Sequence, residues 1–334
     1  MTSDLEQIGG EMAFSPQRFQ ALTLSGRFSL RLIIHSAALQ GKKVLLPECL
    51  CQVIVSELTR YNISFGIYSL GDTLEPIWPE NFAQYEVIYL IQYFGMDFRS
   101  SLPETMPRDL IVIIDDVFSP LPRLPVLINP CYSFNSLRKI SPLADGSILV
   151  ANRPLMLDIL GQANDGGFSA QKYLNKGIKH EFLSETVTGD NALAMERRFL
   201  EGFSKAEQLL DYIEGVPSIS LESQYLALEF MANLEQERLH RKLNYLRLQQ
   251  LLPELVLPMD VDFFSFALLR LPGQRDELRQ MLATERIFLP VHWPEQPGFN
   301  SDCTLWLSVP LDSRYHGGHM SRIADKITAF YQVI

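Results

Sequence analysis

Short apolar runs punctuate the first half of the chain, at Lys43–Leu46, Ser64–Tyr68, Val87–Ile91, Leu110–Ile114, Tyr132–Phe134 and Ile148–Ala151. The first four recur at a spacing of roughly twenty residues, enough for a strand and a returning helix. Amphipathic patterns fill two of the gaps. Leu30, Ile33, Ile34 and Ala37 share one face of a helix over Gly26–Leu39, and Val53, Ile54 and Leu58 share one face of a helix over Leu50–Tyr61. Strand, helix, strand at this spacing predicts βαβ units and a mostly parallel sheet. The run Leu110–Ile114 is apolar without alternation, as a strand covered on both faces requires.

The second half has a different rhythm. Asn191–Glu214 and Glu222–Gln250 read as long helices rich in Glu, Leu, Arg and Gln. A strand at Phe263–Leu271, a helix at Asp276–Thr284, strands at Ile287–Pro290 and Thr304–Leu307 and a last helix at Gly318–Val333 follow. Gly161–Lys179, rich in Gly, Asn and Lys, predicts a loop. The expected organisation is α/β: a large domain with a mostly parallel central sheet over 1–190, then linking helices and a small C-terminal α+β domain over 191–334.

Composition narrows the picture. The 334 residues are 47% hydrophobic, which fits a folded globular chain and excludes disorder. The formal net charge is −10 without a dense basic run, which speaks against nucleic acid and against an anionic membrane as partners. The acidic, polar start MTSDLEQIGGEM gives no signal-peptide pattern. No apolar run approaches the ~20 residues of a membrane span. The four cysteines, Cys49, Cys51, Cys131 and Cys303, form no C-x-x-C pair, and a reducing compartment is the simpler reading. A cytoplasmic protein is expected.

Ligands of open α/β sheets bind beyond the carboxyl ends of the strands, so the residues after each strand carry the chemistry. Ser25-Gly26-Arg27 opens a helix. Its free N–H groups suit a phosphate, and Ser25 also reads as an ordinary N-cap. Pro47-Glu48-Cys49-Leu50-Cys51 follows the second run, and Asp115-Asp116 ends the run Leu110–Ile114. Two acids there need partners, and strand alternation sends them to opposite faces. No histidine stands near them in sequence to support a metal. Ser136-Leu137-Arg138-Lys139 lies one strand later. An adjacent cation is one route to a nucleophilic lysine amine, and a solvated charge pair is the other reading.

Taken in order, these segments resemble the fold-type I enzymes dependent on pyridoxal 5′-phosphate (PLP), and most closely the DegT/DnrJ-like sugar aminotransferases. The likeness runs from about Gly26 to the C-terminus. Ser25-Gly26-Arg27-Phe28-Ser29-Leu30 is similar to the family's phosphate-holding helix start, and Tyr93-Phe94-Gly95 stands where its His-x-x-Gly would. Ile114-Asp115-Asp116-Val117 resembles the segment whose Asp pairs with the pyridine nitrogen. Ser136–Lys139 with Asp145-Gly146 downstream resembles the Schiff-base lysine segment. Leu289–Pro294 and Leu307–Leu311 look like its small-domain segments. Cys51 replaces the usual ring-stacking aromatic, Ser119 replaces a Gln or His, and Ala144-Asp145-Gly146-Ser147 replaces a Gly-rich turn.

The resemblance implies amino transfer from an amino-acid donor to a keto acceptor, a nucleotide-linked keto sugar being one such acceptor, through Lys139 and PLP. It implies cofactor contacts from Asp116 by preference or Asp115, from Gly26, Arg27 and Ser136, and from the positions of Cys51 and Ser119. His292 and Arg314 are candidates for substrate contact, and a homodimer is implied. The competing readings are a PLP-dependent lyase or dehydratase, and a catalytically silent relative acting as a sensor or partner protein.

Overall fold

The computed structural model of the chain describes residues 19–161, 164–184, 190–292 and 305–333. The first half builds β1 (Phe19–Thr23), α1 (Gly26–Ser36), β2 (Lys43–Pro47), α2 (Gln52–Arg60), β3 (Ser64–Leu70), β4 (Pro76–Ile77), β5 (Val87–Ile91), β6 (Ile111–Asp115), β7 (Cys131–Phe134), the single-turn α3 (Leu137–Ile140) and β8 (Ser147–Ala151). These strands form one eight-stranded sheet in the order β1-β8-β7-β6-β5-β2-β3-β4. The pairs from β3 through β2, β5 and β6 to β7 are parallel, and β8, β1 and β4 join antiparallel. The strand order reverses between β2 and β5, which is where an open α/β sheet offers a crevice.

The second half builds α4 (Phe168–Ser184), α5 (Asp190–Tyr212), α6 (Leu221–Ala232), α7 (Leu234–Leu251), β9 (Phe266–Arg270), α8 (Arg275–Thr284), β10 (Trp306–Pro310) and α9 (Gly317–Val333). The strands β9 and β10 form an antiparallel pair. One continuous cluster of buried apolar residues runs from Phe28 and Ile33 of α1 through Tyr89 and Ile113 of the sheet to Tyr245 and Leu248 of α7, Leu268 of β9 and Ile327 of α9. No helix among the described residues is long and apolar enough to cross a membrane.

The faces of β6 decide where the chemistry points. Ile111 and Ile113 belong to the main core, whereas Val112 and Ile114 pack with Cys131, Leu102 and Leu127 on the other side. A fully buried ion pair locks α1 to α2. Arg31 is fully buried and Glu57 nearly so. The guanidinium donates through Nε to Glu57 Oε2 at 2.6 Å and through Nη2 to Oε1 at 2.8 Å, and Nη1 donates to the Ile213 carbonyl at 2.5 Å.

Four sequence expectations need correction. The stretch Gly161–Lys179 is largely helix α4, not loop. Asp165 caps it, accepting from the N–H groups of Gly167 and Ser169, while Phe168 and Ile178 are buried. Two of its lysines are tied inward: Lys172 Nζ donates to Glu207 at 2.5 Å and Lys176 Nζ to the Pro142 and Leu143 carbonyls at 2.6 and 2.7 Å. The helix expected over Glu222–Gln250 breaks at Asn233 into α6 and α7; the Asn233 side chain donates to the Glu229 carbonyl and closes the first of them. Ile287–Pro290 forms no ladder strand. Cys49 is disulfide-bonded, where a reducing compartment would leave a thiol. Trp293, Pro294 and Thr304 lie outside the described residues.

Candidate active site

The site is built at the carboxyl edge of the sheet. Strand β1 delivers the chain to Ser25, an extended N-cap whose side chain makes no capping bond. Its Oγ is buried and has no hydrogen-bond partner among the described residues. At Gly26 an added Cβ would sit 3.1 Å from the Phe134 ring and 3.5 Å from the Asn135 carbonyl oxygen. A side chain here would push the Phe134 ring back by a few tenths of an ångström, so glycine lets the start of α1 press closely on the end of β7. The Arg27 side chain turns away to Asp211 at 2.5 Å and Glu57 at 3.9 Å. Its backbone remains at the positive end of the helix.

The turn after α3 fastens this contact. Gly146, at φ +115°, donates its N–H to the Leu24 carbonyl at 2.7 Å, and its own carbonyl accepts from Leu137 N–H at 3.0 Å. Asp145 is fully buried and accepts from Ser220 N–H, Ser220 Oγ and Ser223 Oγ at 3.0, 2.7 and 2.8 Å. The α1 start, Ser136 and Lys139 are thus held as one unit. Ser136 is buried ahead of α3. Arg138 Nη1 donates to Glu207 at 2.5 Å. Lys139 is exposed, and its Nζ lies 4.9 Å from the centroid of the Phe118 ring.

The two carboxylates part as alternation requires. Asp115, on the main-core side of β6, accepts from Tyr89 O–H at 2.6 Å and from Val117 N–H at 3.3 Å. Burial raises its pKa, and the charge of Lys139 is the largest opposing influence. Asp116 faces the other way. Burial pushes its pKa up to about 7, with Arg99 opposing. The structure therefore sets Asp115, not Asp116, in electrostatic contact with Lys139.

Aromatic side chains close around the amine. The Phe94 and Phe118 rings stack at 4.8 Å, and His292 meets both edge-on at 5.3 and 5.1 Å and Phe266 at 4.7 Å. Phe94 reaches this position through a left-handed backbone, φ 55°, uncommon outside glycine. His292 Nδ1 and Ser308 Oγ lie 2.9 Å apart. Burial, reinforced by the Lys139 charge, drives the His292 pKa down to about 3, so the imidazole is neutral at physiological pH.

The remaining candidates separate. Cys51 is an exposed free thiol at the start of α2. Ser119 lines a cavity together with Asp116. Arg314 is exposed and bound to Asp312 at 2.5 and 2.9 Å. Tyr89, Phe118 and Phe266 are not site candidates from sequence, and Phe94 enters there only as part of Tyr93-Phe94-Gly95, without a role. Tyr89 was recoverable only through the β5–β6 register, which sets it opposite Ile113 on the Asp115 face.

The Asp116 environment gives a pH prediction. Its folded pKa of about 7 exceeds the ~3.9 of an unperturbed Asp. The folded state therefore holds a proton that the unfolded chain releases between those values, and this contribution to stability falls as pH rises from ~4 to ~7. Urea midpoints of the protein and of Asp116→Asn, measured at pH 5 and pH 8, should diverge, the unmodified chain losing more. Parallel changes would contradict the assignment.

No protein-family model and no curated protein matches the chain. Solved structures do. A DegT DnrJ EryC1 StrS aminotransferase from Brucella abortus aligns with TM-score 0.61 at 14% identity, over 93% of this chain and 85% of that one. A protein of Streptococcus pneumoniae assigned as a sugar aminotransferase, in its PLP form, aligns with TM-score 0.63 at 13% identity, over 94% and 88%. S. venezuelae DesV in complex with a ketimine intermediate aligns with TM-score 0.61 at 13% identity, over 93% and 84%. At such identities the likeness shows a shared fold, and the fold is that of these proteins.

Proposed function

We propose that the protein is a PLP-dependent aminotransferase acting through Lys139. The observation that carries this reading is the meeting of an exposed lysine amine and a buried carboxylate, Asp115, beside the start of α1. The residues present fit the cofactor. Ser25 Oγ is an unsatisfied buried hydroxyl at a helix N-terminus, where phosphate is favoured. The Gly26 and Arg27 N–H groups and Ser136 complete the phosphate end, and Asp115 is the partner for the ring nitrogen. The Arg27 side chain, held by Asp211 and Glu57, takes no part.

Bound PLP supplies an electron sink that lets an amino-bearing carbon lose its proton. The chain's own residues do the rest. With the cofactor bound, the Lys139 amine would accept that proton and return it to the carbon on the far side of the nitrogen, two atoms along. Asp115 would keep a proton at the ring nitrogen of a bound cofactor, and Tyr89 O–H, donating to its Oδ2 at 2.6 Å, fixes the orientation of the carboxylate. Phe118 lies 4.9 Å from the amine with Phe94 stacked behind it, and His292, which feels the Lys139 charge, remains neutral. One structural neighbour is named as a sugar aminotransferase, which favours a keto sugar, nucleotide-linked in this reading, as acceptor; an amino-acid donor belongs to the same reading. A homodimer belongs to this reading.

A second reading rests on the Phe94–Phe118 stack packed against Lys139: a diverged relative that binds PLP without turning over. Absorbance spectra with PLP, then with glutamate, separate the two. Amino transfer predicts a visible band that glutamate converts, with 2-oxoglutarate released in equal amount. A band that glutamate leaves unchanged supports the diverged relative, and no band at all contradicts both.

A further inference from the structure

Helix α4 carries Lys172, Lys176 and Lys179 at i, i+4 and i+7, so one face holds three ammonium groups along about 10 Å of axis. Two arginines join them. Lys172 Nζ and Arg138 Nη1 donate to the same oxygen, Glu207 Oε1, at 2.5 Å each. Lys176 Nζ donates to the Pro142 and Leu143 carbonyls at 2.6 and 2.7 Å. Arg241 holds the same turn through the Ile140 carbonyl at 2.9 Å, and its partner Glu237 accepts from Ser313 N–H at 3.4 Å. Arg314 is thereby carried to the turn that Lys176 touches, and its charge acts on both Lys176 and Lys179.

The cluster is short of negative charge. The carboxylates paired with its five cations are Glu207 and Asp312, which leaves an excess of three positive charges in a chain of net charge −10. Burial, with the charges of Lys172, Arg314, Arg138 and Lys179, brings the Lys176 pKa down to about 8, so the amine keeps its proton at pH 7. Like charges gathered in this way favour an anion between them. Donors remain for one. Lys179 is exposed and has no hydrogen bond or ion pair among the described residues. An ammonium has three donors, and Lys176 spends two on carbonyls. Arg314 commits Nε and Nη2 to Asp312 and keeps Nη1. Arg138 turns to Glu207 while Lys139 Nζ lies over the Phe118 ring, so the cluster and the Lys139 amine lie on different sides of α3.

We propose that this face of α4, together with Arg314, binds a diphosphate group. Lysines meet phosphate oxygens as point charges, and two linked phosphates match an excess of three charges spread over two turns of helix. A carboxylate carries one charge and would leave the cluster unbalanced. The site stands whether or not Lys139 acts on PLP.

Titration calorimetry on the full chain with inorganic pyrophosphate, adenosine diphosphate and sodium acetate, at constant ionic strength, tests the assignment. Pyrophosphate is expected to bind at one site, and acetate at least about tenfold more weakly. Lys179→Gln and Arg314→Gln should each weaken pyrophosphate about three- to fivefold, the worth of one exposed charge, and together about tenfold. Lys205→Gln removes an exposed charge of α5 outside the cluster, and Ser25→Ala alters the start of α1; both should leave the affinity unchanged. Circular dichroism confirms folding, and if the double variant does not fold, the single variants decide. Competition by adenosine diphosphate supports an esterified ligand, and binding of pyrophosphate alone supports the free ion. Four results would overturn the proposal: no pyrophosphate binding, unchanged affinity in the folded Lys179 and Arg314 variants, an equal loss in Lys205→Gln, or loss in Ser25→Ala, which would put the anion at α1.

Discussion

Lys139→Ala is expected to lower amino transfer by about 10²–10⁴-fold, the usual worth of a positioned proton-transferring group. The fold should survive, because the side chain is exposed and its nearest ring contact is the Phe118 face. The variant should still take up PLP, since the α1 start and Asp115 are untouched. An added primary amine should restore part of the rate, because it supplies the missing base. Arg138→Ala is the control. Its guanidinium is committed to Glu207, and kcat/KM with the amino donor should change by less than about tenfold. Equal losses in the two variants would mean that Lys139 acts only as one charge among several.

The largest stability effect is expected at the buried pair of Arg31 and Glu57. Glu57→Met leaves a guanidinium without its countercharge in the interior, and the expected cost is about 3–5 kcal/mol. Arg31→Met should cost a similar amount by stranding the carboxylate. The double variant Arg31→Met with Glu57→Met should recover much of this, though not all. Arg31 Nη1 also satisfies the Ile213 and Gly215 carbonyls, and methionine cannot. Urea unfolding of the three variants measures the coupling. Additive losses would show that the two charges do not depend on each other.

The centre of the sheet was legible because β2, β5, β6 and β7 are almost wholly buried along their length, on both faces. Val87–Ile91 was placed to the residue, and β2, β6 and β8 to within one residue at each end. β1 was missed because FQALT alternates weakly, and it pairs only with β8, its partner more than a hundred residues on. Helix α4 was hidden by its lysines. Two of these charges are met by Glu207 and by backbone carbonyls from distant segments, which local composition does not reveal. At the site, Lys139 and the acid pair were visible as odd charges after apolar strands, and alternation foretold that the acids would part. Which acid faces the lysine depends on register, and so it needed coordinates. The aromatic wall of Phe94, Phe118, Phe266 and His292 comes from four separate loops and strands, and no local pattern marks it.

Borohydride reduction of the protein incubated with PLP, followed by peptide mass mapping, tests the central claim most directly. Lys176 is the informative rival. Burial and neighbouring cations bring its pKa down to about 8, so its own environment favours the free amine. It is nonetheless engaged by the Pro142 and Leu143 carbonyls, away from Asp115. The account predicts the pyridoxyl mass on Lys139 in stoichiometric amount. The same mass on Lys176, or on no lysine, would contradict it.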